Sequence, residues 1–417
     1  MSRFPKIRYK DYSEDWKQNS LGEVCEAPMY GLNSSAKDYD GINKYIRITD
    51  IDESTNLYNP NPLTSPESFT DEYLLKPNDL VFARTGASVG KSYLYNSNDG
   101  RLLFAGFLIR FRVKSTNNSK FIFYQTLLDR YSQWVKVNSA RSGQPGINAE
   151  EFKTYELNLP TLEEQTKIAT FLSAVDSKIT SLERLVSHWQ AYKKGIMQQI
   201  FTQQLRFKAP IGEDFPEWET KTLGEIGSTY NGLSGKTKDD FGSGFPYITY
   251  KSVFDNSRVD INRVEYVKVF ISSNVEDKSE KQNKVEYGDI FFTVSSETPT
   301  EVGMSSVLLD EIDNCYLNSF CFGYRLNDKV SFNPKFFQHY LRSSEMRKCI
   351  SILAQGSTRY NISASNMMNL EIIVPSSEEQ TKIATFLSSL DDKIAHLQQQ
   401  LTSYRQFKKA LLQQMFV

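Results

Sequence analysis

Histidine and cysteine are scarce in this chain of 417 residues: the histidines are His188, His339 and His396, and the cysteines Cys25, Cys315, Cys321 and Cys349. No two histidines are close in sequence and no cysteines have CxxC spacing, so the raw material for a zinc site, an imidazole acid–base pair or a disulfide framework is missing. The thiols read as free and buried. Long apolar runs are missing too: none approaches the roughly 20 residues that span a bilayer, and the opening stretch MSRFPKIRYKDYSEDWK lacks the apolar core of a secretory signal. A cytoplasmic protein without a membrane span is expected. Charge of one sign is not in excess either, since 49 Lys and Arg face 50 Asp and Glu for a formal net charge of −1. Nucleic-acid binding through bulk positive charge is thereby excluded; such contacts have to be local or shared with a partner.

What is present is a globular composition, 39% hydrophobic and 24% charged, in a length that suits two domains and their connections. An internal repeat organises it. Glu163–Leu172 and Glu378–Leu387 read the same ten residues, EEQTKIATFL, at an offset of 215 (163 against 378), and the match continues to Phe201 and Phe416. Weaker echoes precede each copy: Trp16 with Leu21-Gly22-Glu23 against Trp218 with Leu223-Gly224-Glu225, and Asp79-Leu80-Val81-Phe82 against Asp289-Ile290-Phe291-Phe292. The chain is therefore a duplicated unit of globular domain followed by helix, diverged in the former and nearly unchanged in the latter. The division reads as domain 1–158, helix 159–205, domain 206–373 and helix 374–417.

Each repeated segment opens on proline and a capping box, Thr161 with Glu164 and Ser376 with Glu379, in which hydroxyl and carboxylate satisfy each other's backbone donors. Apolar residues then recur at alternating spacings of four and three. They are Ile168, Leu172, Val175, Ile179, Leu182, Val186, Trp189, Ile196 and Ile200, and in the second copy Ile383, Leu387, Leu390, Ile394, Leu397, Leu401, Tyr404, Leu411 and Met415. This is the seam of a coiled coil, interrupted only by Lys193 and Lys408, whose stems can lie along it with their ammonium groups in water. The two helices should pair. The stripe leaves the direction open, but antiparallel pairing relates the domains by a pseudo-two-fold axis, which suits duplex DNA.

The globular parts read as short strands and turns with one helical stretch each, Lys120–Val137 and Pro334–Leu353, so the fold class is α+β. Gly86-Ala87-Ser88-Val89-Gly90-Lys91-Ser92 approaches a phosphate loop but has three residues between its glycines where that loop needs four. Its counterpart Val302–Ser305 has no lysine. A DNA contact is the better reading of this loop, with Arg84, Thr85, Ser88 and Lys91 as phosphate and base-edge donors. The turn holding Arg141 and Gln144 is a second candidate. The second half offers Ser295, Ser296 and Thr300 in place of the first loop, and Thr358, Arg359 and Tyr360 in place of the turn. Enzyme motifs are lacking: there is no NPPY- or DPPY-type sequence, and Asn59-Pro60-Asn61-Pro62 has no aromatic to flank a flipped base. A stand-alone methyltransferase or nuclease, or a coiled-coil scaffold without DNA, remains the alternative.

The segments Pro160–Phe201 and Pro375–Phe416, with LPTLEEQTKIATFL and VPSSEEQTKIATFL at their starts, together with Lys76–Lys91, resemble the specificity subunits of type I restriction-modification systems. The resemblance spans the whole chain. It implies two target-recognition domains, each reading half of a bipartite DNA target, and two conserved helices paired antiparallel as a spacer. It also implies that the helices dock two methyltransferase subunits and that restriction subunits join the complex. This chain then performs no catalysis and holds no cofactor or metal, while S-adenosylmethionine, ATP and Mg belong to the partner subunits.

Overall fold

The computed structural model describes residues 5–140, 143–210, 212–269 and 282–417. They form two compact units, residues 1–183 with 399–417 and residues 184–398. In unit 1 a four-stranded antiparallel sheet is built from β1 (Met29–Tyr30), β2 (Asp79–Ala83), β3 (Ser92–Leu94) and β4 (Leu108–Arg112), in the order β1-β4-β2-β3. Unit 2 repeats it with β5 (Gly227–Asn231), β6 (Ile290–Thr293), β7 (Ser305–Val307) and β8 (Cys321–Leu326), in the order β5-β8-β6-β7. A parallel pair stands beside each sheet, Lys44–Ile46 with Leu102–Phe104 and Tyr247-Ile248 with Tyr316-Leu317. The mixed α+β class follows from these short strands, several of them buried along most or all of their length, together with the helices that cover them.

One ion pair recurs at the same place in both sheets. The carboxylate of Asp79, wholly buried, accepts from Nε and Nη2 of Arg112 at 2.7 and 2.9 Å. Asp289, also wholly buried, accepts from the same two nitrogens of Arg325 at 2.8 and 2.7 Å. Each carboxylate also caps the turn before its strand, taking the amide of Lys76 or of Glu286.

The helical stretches are each broken in two: Ser119–Gln125 and Asp129–Asn138, then Pro334–Tyr340 and Ser344–Ile352. Local polar groups cause the breaks. Thr126 turns its hydroxyl onto the carbonyl of Phe123, and Ser343 caps the following helix through the amide of Met346.

The two long helices run without interruption over Leu162–Phe201 and Ser377–Met415. At 1.5 Å per residue each is roughly 60 Å long. Within each unit the two segments present are antiparallel. In unit 1, Arg405 donates to Glu183 at 2.7 Å and Lys408 meets Asp176 at 2.7 Å, so the numbering of one helix rises as that of the other falls. In unit 2 Lys193 pairs with Asp391. The seam lysines thus end on carboxylates of the facing helix rather than in open water, so each offsets a polar interruption of the stripe with a partner.

Compact units do not follow the boundary between domain and helix, because the ends of the stripe merge with the globular cores. Ile168, Leu172, Leu411 and Phe416 belong to the core of unit 1, and Ile200, Phe201, Ile383 and Leu387 to that of unit 2. Each helix start is locked by the repeated EEQ. The hydroxyls of Thr161 and Ser376 accept the amides of Glu164 and Glu379 at 3.4 Å, as a capping box requires. The glutamate side chains do not turn back to complete the box. Arg8 captures Glu164, and Arg206 with the indole of Trp218 captures Glu379, both carboxylates being buried and their partners half-buried. The next residue is buried in both copies and ties the helix to the domain: Gln165 accepts the amide of Asn118 and donates to the Pro160 carbonyl, as Gln380 does with Asn333 and Pro375. The glutamate and glutamine of the repeated run therefore serve the same joint in both copies.

Among the buried positions of that joint that differ between the copies, one holds a histidine in unit 2. Tyr124 donates to Asp176 at 2.7 Å in unit 1, while in unit 2 the place is taken by His339, 3.5 Å from the Ser388 hydroxyl and 3.8 Å from Asp391. Burial pushes the His339 pKa down to about 3, and the Lys193 ammonium acts in the same direction. The unfolded chain gains this proton near pH 6.5 and the folded chain only near 3, so unit 2 loses stability as pH falls through that window. The His339→Gln variant is expected to be spared about 2 kcal/mol of the loss that the wild type suffers between pH 7 and pH 5. Urea titrations of both proteins at the two pH values check this; parallel losses would refute it.

Cys25, Cys315 and Cys321 are free and buried, but Cys349 is exposed, contrary to the expectation of four buried thiols. It lies on the outer face of its helix, whose apolar side is carried by Met346 and Ile350. Among the described residues no helix is long and apolar enough to cross a membrane, and no group of three or more His, Cys, Asp or Glu is placed to hold a metal ion.

Candidate nucleic-acid interface

The loop Arg84–Lys91 joins β2 to β3, two antiparallel strands, instead of opening a helix as a phosphate loop does. The sequence leaves its relation to the Gln144 turn open; the fold brings them together. Thr85 and Gly146 form an antiparallel bridge, Gly86 donates its amide to the Pro145 carbonyl at 2.9 Å, and Ile147 donates to the Arg84 carbonyl at 2.9 Å. Unit 2 repeats the arrangement: Ser295 and Ser296 pair with Asn361 and Tyr360, and Ile362 donates to the Val294 carbonyl at 2.9 Å. Both candidate segments of each half therefore form one surface.

The individual side chains differ in what they can offer. Arg84 is half-buried, donates to the Gly106 carbonyl at 3.1 Å and lies 5.3 Å from the centre of the Tyr30 ring. Thr85 and Ser88 are half-buried and Gln144 exposed. Lys91 is turned inward, with its ammonium 3.1 Å from the Ile51 carbonyl and 3.4 Å from Glu53. Arg141 lies outside the described residues. In unit 2 Ser295 and Ser296 are buried, and Ser295 accepts from Arg359 at 3.2 Å, while Thr300, Thr358 and Arg359 are exposed and Tyr360 half-buried. The inward residues hold the hairpins, and the outward ones remain available to a ligand.

The loops are fastened from behind. Gly90 and Gly303 have φ of +83° and +64°, and a Cβ there would lie 2.6 Å from Val135 and 2.8 Å from Ile350. In unit 2 the half-buried guanidinium of Arg347 also holds the carbonyls of Thr300, Val302 and Gly303, its pKa lowered to about 10 by desolvation. The Gly303→Ala variant is expected to suffer left-handed strain of about 1–2 kcal/mol and overpacking of about 1–3 kcal/mol. The unit 2 loop should shift while unit 1 is untouched, which amide exchange mapped by peptide measures; equal protection in the two proteins would contradict it.

A third segment joins each surface and was not legible as a candidate. Ala105-Gly106-Phe107-Leu108 and Asn318-Ser319-Phe320-Cys321 are equivalent turns, and the carbonyls of Phe107 and Phe320 accept the amides of Arg84 and Val294, both at 3.0 Å. The only sequence signal is a phenylalanine just ahead of an alternating strand in both halves. Beside the first turn lies a cleft of about 720 Å³ lined by Tyr30, Asn33, Tyr45, Arg47, Arg84 and Phe107 among others.

Two copies of one domain, each presenting a three-segment loop surface and each fused to half of a helix pair, define a duplicated recognition protein. The chain belongs to the type I restriction modification DNA specificity domain family, whose profile matches residues 13–186 and 216–403. It is 24% identical over 359 residues to the type I restriction enzyme MjaVIII specificity subunit of Methanocaldococcus jannaschii, covering 82% of this chain and 79% of that one. It is 27% identical over 218 residues to the StySPI specificity subunit of Salmonella potsdam, covering 50% and 43% of the two chains. The crystal structure of the type I restriction-modification S subunit from M. genitalium shares the fold, with a TM-score of 0.60 over 99% of both chains at 15% identity.

Proposed function

We infer that this chain is the sequence-reading, non-catalytic subunit of a type I restriction-modification complex acting in the cytoplasm. The loop surface of each unit reads one half of a bipartite duplex target. The helices set the number of unspecified base pairs between the halves and dock two methyltransferase subunits that carry S-adenosylmethionine. Restriction subunits using ATP and Mg complete the assembly. The observation that carries this reading is one backbone frame built twice with unlike side chains on its outward loops, the arrangement expected of two readers with different half-sites. The near-neutral net charge of −1 fits a chain that binds DNA tightly only with partners present.

The test is a methylation assay with labelled S-adenosylmethionine on the purified chain, on its methyltransferase partners and on the assembled complex. Site-specific transfer is expected from the complex alone. Transfer by the chain without partners would overturn the non-catalytic reading, and a complex without sequence selectivity would overturn the reading as a whole.

A further inference from the structure

We propose that Phe107 and Phe320 are equivalent DNA-contacting residues, one in each unit, that lay an aromatic ring on the apolar surface of a nucleobase within each half-site. The proposal rests on the reading of the chain as a DNA-recognition subunit.

Phe107 and Phe320 are 57% and 60% exposed, although the backbone of each is held from two sides. Each sits third in a tight turn closed by a main-chain hydrogen bond, Leu108 to Ala105 at 2.8 Å and Cys321 to Asn318 at 3.0 Å. In front, the carbonyl is held by the first residue of the hairpin loop; behind, a glycine presses on the turn. A Cβ on Gly31 would stand 2.1 Å from the Ala105 carbonyl oxygen, and one on Gly232 2.2 Å from that of Asn318. The frame is rigid and the ring is outside it.

A single exposed apolar side chain needs no explanation. The same exposed ring at the same turn of two domains whose other loop residues differ does, because neither ring fills a core. Its neighbours on the surface include the polar loops already described, which puts a large apolar ring beside the hydrogen-bonding groups of the same surface. Phenylalanine has no hydrogen-bonding group, which leaves two apolar features of a base: the thymine methyl in the major groove, or the face of a base exposed by unstacking.

The test uses the assembled complex with its methyltransferase subunits and a duplex carrying the target found by methylation mapping. Phe107→Ala and Phe320→Ala are each expected to weaken specific binding about tenfold, with little change for a duplex of scrambled sequence, and neither should alter the melting temperature. Two substituted duplexes identify the surface touched. If replacing thymine by deoxyuridine weakens the wild type but not the variant, the contact is the methyl; if 2-aminopurine fluorescence rises on binding the wild type but not the variant, it is an unstacked base. Affinities equal to the wild type, a loss shared with scrambled DNA, or a specific loss with neither substitution responding would each overturn the proposal. A wild-type complex that fails to select the target would instead strike at the functional reading beneath it.

Discussion

Inserting four residues into each long helix, after Val186 and after Gln398, is expected to lengthen the unspecified spacer of the DNA target by one or two base pairs and to leave both half-sites unchanged. Both helices are continuous there, and the pairs at hand place Lys193 against Asp391 and Asp176 against Lys408, so these two points face each other across the pair. Four residues add about 6 Å of helix, and a base pair rises roughly 3.4 Å. A four-residue unit with one apolar member prolongs an apolar spacing that already alternates four and three, so the seam survives. Insertion in one helix alone leaves four residues without a partner and should cost assembly instead. Methylation mapping of the double insertion decides the matter; changed half-sites, or an unchanged spacer, would sink the idea that helix length sets the spacing.

Replacing Arg325 by alanine should destabilise unit 2 strongly. Its guanidinium is the counter-charge of Asp289, whose carboxylate has no access to water and would keep only the Tyr230 hydroxyl and the Glu286 amide. Breaking such a pair costs about 3 kcal/mol, the lower end of the usual range, because the arginine side is partly open and water can enter the vacated space. The unit 2 transition in urea should move accordingly while unit 1 is spared. Arg325→Lys retains the charge but loses the two-pronged geometry and the bond to the Lys284 carbonyl, so an intermediate loss is expected. A shift below about 1 kcal/mol for the alanine variant would mean that the buried carboxylate is sustained without its partner.

The same pair illustrates how legibility divides. Asp79 and Asp289 were visible as members of a repeated run, but nothing local names Arg112 and Arg325 as their partners, since these stand across a strand pairing. The EEQ motif behaves likewise. Its hydroxyl cap follows from residue spacing, whereas the capture of Glu164 by Arg8, 156 residues away, follows from the packing of the amino-terminal segment on the helix. Candidate loop residues were recognised by type and by glycine content. Which of them point outward was not, because Lys91 and Ser295 have partners from distant segments that turn them in.

By itself the chain's sequence determined the duplication, the two long helices with their apolar seam, the α+β class of the domains and the resemblance to a family, because each is written in local periodicity or in direct repetition. The meeting of the two loop segments in each unit, the fastening of the hairpins by Gly90 and Gly303, and the placement of Phe107 and Phe320 beside them were decided only in three dimensions. Those features depend on strands that pair across long stretches of chain, and the exposure of a side chain is a property of everything folded around it.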